Sequence, residues 1–402
     1  MQTFSKIVVF YFVLTAIVRG EEPKPLTVGD AISEALSKNP ELRALEARID
    51  SARRGVDVAK TYPFNPELNF EEGLDRHIGV SQTFEWAGKR ALREAIAKQD
   101  VAAAQAGLEG FKVALAAEVR AQFYELLVAQ KQIALRQQSL QAADTLLEVS
   151  RKRVEAGFAP VTEQTRAQVE VVKAKREIRL AQKSVVLARA SLNLFMGRDV
   201  QAPLDPQGEL TAPTGNVPLG KLLTAGLERN PELRVQRIEL EKRGLAVKLA
   251  RKEAAPDVSL EVFYEGADEE NRAGVGLSVP LPILRTSRPF VAAATAEQRE
   301  AVVRYEAMQR ILAANIQKAH AAFTATRDEL ALFSPDLEKE LETQLAATQQ
   351  KYTEGQVSFL LLLEMQQTYF DYLREYYDSL ANVRTAQSEL EKAAAISLEE
   401  IK

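Results

Sequence analysis

Histidine and cysteine, the side chains that most often serve as nucleophiles, proton carriers and transition-metal ligands, are scarce in this chain. The 402 residues include no cysteine, and the two histidines, His77 and His320, lie 243 positions apart. Thiol chemistry is therefore excluded, and a histidine metal cluster would need side chains from several chains. A hydrolase would need a clustered nucleophile or metal set. The sequence thus predicts a protein that is not an enzyme and that holds no cofactor and no resident metal.

The charged residues give no indication of nucleic-acid binding. They make up 27% of the chain, and the formal net charge is -4 at pH 7. Basic and acidic side chains alternate along segments of helical pattern, which is typical of a solvated helix face. Because a nucleic-acid partner requires a basic patch or stripe, we predict no such partner.

The elements that must position any functional side chain occur twice. The pentapeptide Asn-Pro-Glu-Leu-Arg is found at residues 39–43 and again at 230–234. A period of about half the chain indicates two copies of one large unit rather than a solenoid of short ones. We therefore predict a first repeat over 21–196 and a second over 219–402. The proline- and glycine-rich residues 197–218 between them are typical of a linker.

The first twenty residues have the pattern of an export signal. Lys6 precedes an apolar run of twelve residues, Ile7 to Val18, and Gly20 follows at an acceptable cleavage spacing. This order predicts a secretory signal at 1–20, and the alternative is an amphipathic or buried N-terminal helix. Twelve apolar residues are too few to span a bilayer as a helix, and no later run approaches the roughly 20 residues that a span requires.

Each repeat also contains two short segments in which apolar and polar residues alternate, as in a strand with one apolar face. The strands are predicted at about 65–73, 78–85, 257–266 and 273–281. Apolar positions that would face lipid are Leu68, Phe70, Ile78, Val80, Leu260 and Val262. Such hairpins also occur in soluble sheets, but a strand of about nine residues can cross a bilayer when tilted. Because four strands cannot close a barrel, strands that enter a membrane would require the protein to oligomerise.

Long helices make up most of the rest. From Ala87 to Glu155 the helical pattern runs without proline for 69 residues, which corresponds to about 100 Å. Apolar residues recur every seven positions, as in a coiled coil. Val119, Leu126, Ile133, Leu140, Leu147 and Val154 form this series. The chain turns back at a predicted tip, 153–163, and the second repeat does the same at 351–361 after one helix from about Phe290 to Tyr352.

The helix lengths predict how the pieces stack. The return helix, about 161–196, is only half as long as the outgoing one, and the helix before the strands, about 31–61, has nearly the missing length. Stacked end to end, the two halves would match the long helix, with the linker 197–218 midway along the rod. In the second repeat, about 219–255 and 359–397 take these places.

Three features together resemble the TolC-like outer-membrane efflux family over essentially all of the mature sequence. They are the paired Asn-Pro-Glu-Leu-Arg helix starts, the two helical-hairpin turns, and the segment Ile78 to Phe84 followed by Gly88-Lys89-Arg90. The short Gly88-Lys89-Arg90 segment also resembles the heavy-metal efflux subgroup.

The resemblance implies a mainly α fold with a small β part. Duplicated antiparallel coiled-coil helices and two β-hairpins per chain would trimerise into a 12-stranded outer-membrane β-barrel, continued into the periplasm by an α-helical tunnel. Polar strand residues such as Asn69 and Glu261 would line a wet lumen. The implied function is the passive exit duct of a tripartite efflux or type I secretion system. Its implied partners are further copies of itself, outer-membrane lipid, a periplasmic adaptor (membrane fusion) protein and an inner-membrane pump.

The resemblance also implies a gate at the periplasmic end. Glu163, six residues past Gly157, stands where the family commonly places an acid that locks the closed end. Tyr352, three residues before Gly355, matches the aromatic partner of that lock. Glu364 matches an acidic ring position, which would put three carboxylates around the axis of a trimer.

Two positions depart from the family pattern at this gate. Val357 stands where an arginine belongs to the lock, and Leu361 stands where a second acid would complete the ring. We therefore expect the closed end to be held more loosely and its ring to be partly apolar. If Glu163 and Tyr352 hydrogen-bond across neighbouring hairpins, we expect this link to be exposed. In the alternative interpretation, Glu163, Tyr352 and Glu364 are ordinary helix-surface residues.

The two turns also allow two interpretations. A glycine that ends a helix is normally a left-handed cap without further role. Here apolar residues flank both turns at the far end of a rod, which predicts docking of another helical hairpin. The predicted docking residues, including an exposed Phe359, are Arg153, Gly157, Phe158, Lys351, Gly355 and Phe359. A soluble periplasmic coiled-coil scaffold is the alternative for the whole protein, but it gives no reason for duplicated strands of membrane length.

Overall fold

The computed structural model of the chain describes residues 25–72, 76–211, 217–266, 271–281 and 286–398. The predicted signal, 1–20, and residues 212–216 of the predicted linker lie outside the described residues. The helices are α1 Val28–Lys38, α2 Pro40–Lys60, α3 Lys89–Glu155, α4 Val161–Met196, α5 Leu219–Arg229, α6 Pro231–Lys252, α7 Arg288–Leu330, α8 Pro335–Thr353 and α9 Phe359–Ala394. The strands are β1 Pro25–Leu26, β2 Glu67–Glu72, β3 Arg76–Phe84, β4 Asp205–Pro206, β5 Val258–Gly266 and β6 Asn271–Ser278. The fold is mainly helical with some sheet, as the sequence predicts.

The rod is built around α3, a single helix of 67 residues and about 100 Å. Near the strands α3 packs against α2 and α6, and towards the tip it packs against α4 and α9. Buried side chains near the middle of the rod form one core for each repeat. Val119 and Leu126 belong to the first core, and Val383 and Leu390 belong to the second.

Asparagine side chains join the half-length helices end to end. Asn39 caps α2, its side chain accepting a hydrogen bond from the Glu41 amide at 2.9 Å, and its Nδ2 donates to the carbonyl of Phe195 in α4 at 2.9 Å. Asn230 does the same in the second repeat, donating to the carbonyl of Ala393 at 3.3 Å. The repeated Asn-Pro motif therefore marks the joint between two helices that together match α3, as the helix lengths predict.

Backbone space at this joint is tight. Gly197 has a φ of +69°, and a Cβ at this residue would lie 2.7 Å from the carbonyl oxygen of Lys38. Only glycine combines this left-handed conformation with so close an approach. The end of α4 and the break between α1 and α2 are thus fixed against each other. The segment after α4 is also packed, because β4 pairs with β1 in parallel.

The second repeat differs from the first because its long helix is broken. We expected one helix from about Phe290 to Tyr352, but α7 ends at Leu330 and α8 begins at Pro335. Proline is disfavoured in a helix interior but suits the first position, and Ser334 caps α8 by accepting from the Asp336 amide at 3.2 Å. Tyr372 of α9 holds the break, donating to the carbonyl of Ser334 at 3.0 Å.

The helices form a row that is four wide. Towards the tip the order is α4, α3, α9, α8, and towards the strands it is α2, α3, α6, α7. The longer strands form an antiparallel sheet in the order β2-β3-β5-β6. Among the described residues, β2 and β6 each pair with a strand on one side only. The row and the sheet therefore both end in free edges.

Candidate functional site

The tip of the rod consists of two helical turns with the same backbone geometry. Gly157 and Gly355 have φ values of 77° and 78°. The Phe158 amide donates to the carbonyl of Arg153, and the Gln356 amide donates to the carbonyl of Lys351, each at 2.8 Å. These six-to-one bonds with a left-handed glycine are Schellman caps. Gly157 and Gly355 therefore occupy equivalent positions in the two helical hairpins.

Tyr352 links the two hairpins at this tip. Its hydroxyl lies 3.0 Å from Ser150 Oγ on α3 and donates to Glu163 Oε2 on α4 at 3.2 Å. Glu163 and Tyr352, 189 positions apart, are thus brought together as their expected roles require. Burial is the main cause that raises the pKa of the Tyr352 hydroxyl above its usual value, so this hydroxyl is protonated at neutral pH and can donate.

Arg153 contributes a contact that sequence reasoning missed. Its guanidinium carbon lies 4.8 Å from the centre of the Tyr352 ring, and its Nη1 donates to the Tyr352 carbonyl at 2.8 Å. A cation over an aromatic face is favourable, and more so when partly desolvated. The structure thus places an arginine from the first hairpin on Tyr352, whereas Val357 stands where the family pattern has one.

Two expectations at the tip need correction. Tyr352 is only 1% exposed, and Phe359 is 4% exposed, so neither is a surface residue. Their rings pack 6.2 Å apart in a cluster with Leu362. Phe359 is buried because it is the first core position of α9, three residues before Leu362. It cannot be an exposed docking residue in this conformation, and the link through Tyr352 is buried rather than exposed.

The remaining tip residues lie on the surface. Phe158 is 79% exposed, and Lys351 and Glu364 are exposed as well. Leu361 is also exposed, one turn of α9 before Glu364. Glu364 is therefore not part of the buried Tyr352 cluster, and its neighbour one turn away is apolar.

The sheet has one apolar and one polar face. In register, Leu68, Val80 and Val262 lie side by side across three strands. The six predicted lipid-facing side chains are all exposed: Leu68, Phe70, Ile78, Val80, Leu260 and Val262. On the other face, Asn69 Nδ2 donates to Glu261 Oε1 at 2.9 Å. An exposed apolar face of this extent is unusual for a protein that is surrounded by water alone.

An ion pair fixes the junction between sheet and helices. Lys89, at the start of α3, is buried, and its Nζ contacts Asp257 Oδ1 at 2.8 Å and donates to the carbonyl of Ala255 at 2.7 Å. The segment 88–90 therefore joins the first repeat to the second. This contact also lay outside sequence reasoning, because the two residues are 168 positions apart.

Comparison with known proteins decides what this architecture is. Residues 31–198 and 222–395 match the family profile of the outer membrane efflux proteins. The chain belongs to that family. It is thus an outer-membrane channel of tripartite efflux, lying in the outer membrane and extending into the periplasm. The family match decides against the alternative of a soluble periplasmic coiled-coil scaffold. Members of this family are efflux channels rather than enzymes.

The similarity of the channel to individual proteins covers nearly its whole length. It is 27% identical over 380 residues, 92% of the channel and 90% of the relative, to the cobalt-zinc-cadmium resistance protein CzcC of Cupriavidus metallidurans. It is 25% identical over 313 residues, 73% of the channel and 70% of the relative, to the nickel-cobalt-cadmium resistance protein NccC of Alcaligenes xylosoxydans. The crystal structure of CusC shares the fold, with a TM-score of 0.76 at 18% identity and 91% of each chain covered.

None of the helices among the described residues is long and apolar enough to cross a membrane. In the same part of the chain, no group of three or more acidic or histidine side chains is placed to hold a metal ion.

Proposed function

We propose that three copies of the channel close into a 12-stranded barrel continued by a helical tunnel. The observation that carries this proposal is the pair of free edges, β2 and β6, on a sheet whose apolar face is exposed. Unpaired edge groups are costly in lipid, and closure with other copies satisfies them. Three chains of four strands exceed the minimum of about eight that a membrane barrel needs.

The mass of the detergent-solubilised channel tests the trimer. Native mass spectrometry should give three times the chain mass after removal of the signal. A stable monomer that retains its strand content in circular dichroism would refute the proposal. A dimer or tetramer with intact strands would show that the number of copies is not three, and it would still be consistent with a closed ring.

The apolar sheet face would then contact lipid, and the face with Asn69 and Glu261 would line the lumen. Lipid-facing and lumen-facing residues alternate in membrane barrels. The register supports this assignment, because the alternating aliphatic positions of the four strands fall on one face, while the other face is polar apart from Phe263, which stacks on His77. We further propose the domain division of the sequence: signal 1–20, repeats 21–196 and 219–402, and a linker at 197–218 midway along the rod.

We propose that the tip is the gate. Tyr352 ties α8 to α3 and α4 through Ser150 and Glu163, so the second hairpin cannot move away from the first without breaking these contacts. Arg153 adds to this link. Glu364, exposed on α9, would face the axis of the trimer, where three carboxylates repel one another and attract cations.

We propose that the exposed tip residues dock a periplasmic adaptor protein. Phe158 and Lys351 lie at the surface beside the caps of Gly157 and Gly355, and Arg153 is half-buried next to them. A helical hairpin of an adaptor, itself bound to an inner-membrane pump, fits such a surface. Phe359 is not part of this proposal, since it packs on Tyr352.

We propose divalent transition-metal cations as the exported substrate. The support is that CzcC, a cobalt-zinc-cadmium resistance protein, and NccC, a nickel-cobalt-cadmium resistance protein, align over most of the channel. Cells that lack this channel should become more sensitive to cobalt, zinc and cadmium, and the wild-type gene should restore growth. Unchanged sensitivity to all three metals would refute the substrate class, and it would leave the channel itself unaffected.

A further inference from the structure

The polar face of the sheet carries His77, one of the two histidines of the chain. His77 is the second residue of β3, near the end of the sheet that is farthest from the helices. Glu265 lies directly opposite His77 in the register of β5, and Glu261 lies on the same face four residues earlier. The side chains of His77 and Glu261 are 22% and 30% exposed, so a solute on this face can reach both.

Both ring nitrogens of His77 face a carboxylate. Nδ1 lies 3.4 Å from Glu265 Oε1, and Nε2 lies 3.4 Å from Glu261 Oε1. A neutral imidazole carries a proton on only one nitrogen, so it can donate to only one of these carboxylates. When Nδ1 donates to Glu265, the lone pair of Nε2 and the carboxylate of Glu261 converge without a hydrogen between them. Two such acceptors repel each other unless a cation lies between them, and this cation is either a second proton or a metal ion.

The backbone leaves room at the point where these two atoms converge. Gly79 lies on the same face, and a Cβ at this residue would lie 2.6 Å from Glu261 Oε1 and 3.2 Å from His77 Nε2. The backbone of Gly79 does not have a positive φ, so its conformation does not itself require glycine. The open space between the nitrogen and the oxygen is therefore what the glycine provides.

The imidazole and the carboxylate are both held by neighbouring side chains. The His77 ring stacks on Phe263 with ring centres 5.1 Å apart, and Asn69 Nδ2 donates to Glu261 Oε1 at 2.9 Å. A histidine that binds a metal commonly donates its other ring hydrogen to a carboxylate, which fixes the tautomer and raises the basicity of the ligand. Glu265 stands in this position relative to His77.

We propose that His77 and Glu261 bind a divalent transition-metal cation, with water as the remaining ligands and Glu265 orienting the imidazole. The 3.4 Å between Nε2 and Oε1 matches the separation of two ligands on one tetrahedral ion, about 3.4 Å for bonds of about 2.1 Å. A nitrogen and a carboxylate oxygen favour zinc or cobalt over magnesium and calcium, which prefer oxygen ligands alone.

Two protein ligands make this a transient site for cargo rather than a resident metal centre. The part of the chain that the structure describes contains no group of three or more acidic or histidine side chains placed to hold a metal. Conduction requires that an ion bind weakly enough to leave. The proposal rests on the proposed function, because it names the point on the barrel wall at which the metal substrate binds. Three copies would supply three such points around the lumen.

Cobalt binding to the purified channel, prepared without a histidine tag and stripped with a chelator, tests the site. Isothermal titration with Co²⁺ is carried out in excess Mg²⁺, which occupies sites built from carboxylates alone. It should give one ion per chain, and X-ray absorption at the cobalt edge should show an imidazole nitrogen. His77→Ala should lower the affinity about ten-fold or more, and Glu265→Ala, which removes the carboxylate that orients the ring, should lower it about ten-fold.

The matched control is the other histidine of the chain. His320 lies on α7, where its Nε2 is 3.1 Å from the carbonyl oxygen of Val217. His320→Ala removes the same kind of side chain at a distance from the sheet, so it should bind Co²⁺ like wild type and keep the imidazole signal.

Gly79→Ala separates the shape of the site from its ligands. The variant keeps His77, Glu261 and Glu265 but places a methyl group between the two ligand atoms, so it should also lose Co²⁺ affinity. Gly276→Ala is its control on the same face, since a Cβ there would lie 3.6 Å from the nearest atoms of Glu261, an ordinary contact. Circular dichroism and native mass spectrometry should show wild-type strands and assembly in both variants. If Gly79→Ala does not assemble, the comparison of His77→Ala with His320→Ala decides.

Equal Co²⁺ affinity of the wild type and His77→Ala would overturn the site, and so would a loss confined to His320→Ala. These results are separable from the proposed substrate class. A channel that confers metal resistance but binds no Co²⁺ through His77 would keep metals as the substrate and refute this site. A channel that binds Co²⁺ through His77 but confers no metal resistance would keep the site and refute the substrate class.

Discussion

The side-chain amide of Asn39 donates a hydrogen bond to the main-chain carbonyl of Phe195 across 2.9 Å. It ties the N-cap residue of α2 to the last turn of α4, 156 positions away. The same pair of roles recurs in the second repeat. A pentapeptide that looks like a helix start in the sequence is therefore also a joint between helices.

Asn39→Asp should weaken this joint while keeping the helix cap. Aspartate still accepts from the Glu41 amide but cannot donate to the Phe195 carbonyl, so the lost hydrogen bond should cost about 1 kcal/mol. Asn39→Ala also loses the cap and should cost about 1–2 kcal/mol. Thermal unfolding followed by helical circular dichroism measures both. The exposed Arg43→Ala serves as control, and equal stability of all three variants would contradict the role of Asn39.

Glu34, which pairs with Arg198 near the Asn39 joint, should make the stability of the protein depend on pH. The Arg198 guanidinium holds the pKa of Glu34 at about 2, below the usual value of 4.5. Because the pKa is lowered in the folded state, the stabilisation is complete above pH 4.5 and is lost as the pH falls towards 2. Glu34→Gln should therefore be less stable than wild type at pH 7 and nearly equal near pH 2. A constant difference between the two proteins over this range would exclude the pair as the cause.

Tyr352→Phe should open the gate more often. The variant loses the hydroxyl contacts with Ser150 and Glu163 while keeping the packing on Phe359. At about 1 kcal/mol per chain, three chains whose effects add shift the closed-to-open ratio by about 150-fold. Single-channel recording in planar bilayers should show a higher mean conductance. Tyr369→Phe removes a hydroxyl from the same helix hairpin away from this contact and should behave like wild type.

Glu364→Gln should weaken block of the channel by divalent and trivalent cations. Three ionised carboxylates around one axis attract such cations, and the amide removes the charge at nearly constant shape. Titration of the current with cobalt or a lanthanide measures the block, and native mass spectrometry should show an unchanged assembly. Glu300→Gln, on the exposed side of α7, is the control. Equal block in both variants would place the cation site elsewhere.

An arginine introduced on the apolar face of the sheet should impair assembly more than one introduced on the polar face. Leu68→Arg and Val262→Arg each place a cation on the apolar face and should impair assembly by about 2–4 kcal/mol near the bilayer midplane. Asn69→Arg lies on the polar face beside Glu261 and should be tolerated. The amount of folded trimer in outer-membrane fractions distinguishes the variants, and similar losses at Leu68 and Asn69 would refute the assignment of faces.

The strands and the helical core can be predicted from the sequence, because each follows from the spacing of its apolar residues. Leu68 and Val80 alternate with polar residues, and both lie on the exposed apolar face. The seven-residue series through Val119 and Leu126 runs into the core. Two expectations are wrong where a neighbouring residue outweighs the helical period. Ser334 and Pro335 together mark a helix start inside an apparently continuous helix, and Phe359 belongs to the core series because of its spacing to Leu362.

Contacts between distant segments could not be predicted from one sequence. Arg153 on Tyr352 and Lys89 on Asp257 depend on how two repeats pack, and neither pair has a local pattern. The position of Tyr352 near Glu163 was expected from family resemblance, but its burial was not. Burial there is decided by Phe359 and Leu362 of the next helix, which close over the ring.

The break between Leu330 and Pro335 makes the two repeats mechanically unequal. A helix of 67 residues without interruption behaves as a stiff beam, whereas a beam cut near one end bends at the cut under a small load. Sideways force at the tip would therefore deflect α8 about residues 331–334 and leave α3 almost straight. The two repeats therefore combine one uninterrupted strut, α3, with one jointed arm made of α7 and α8.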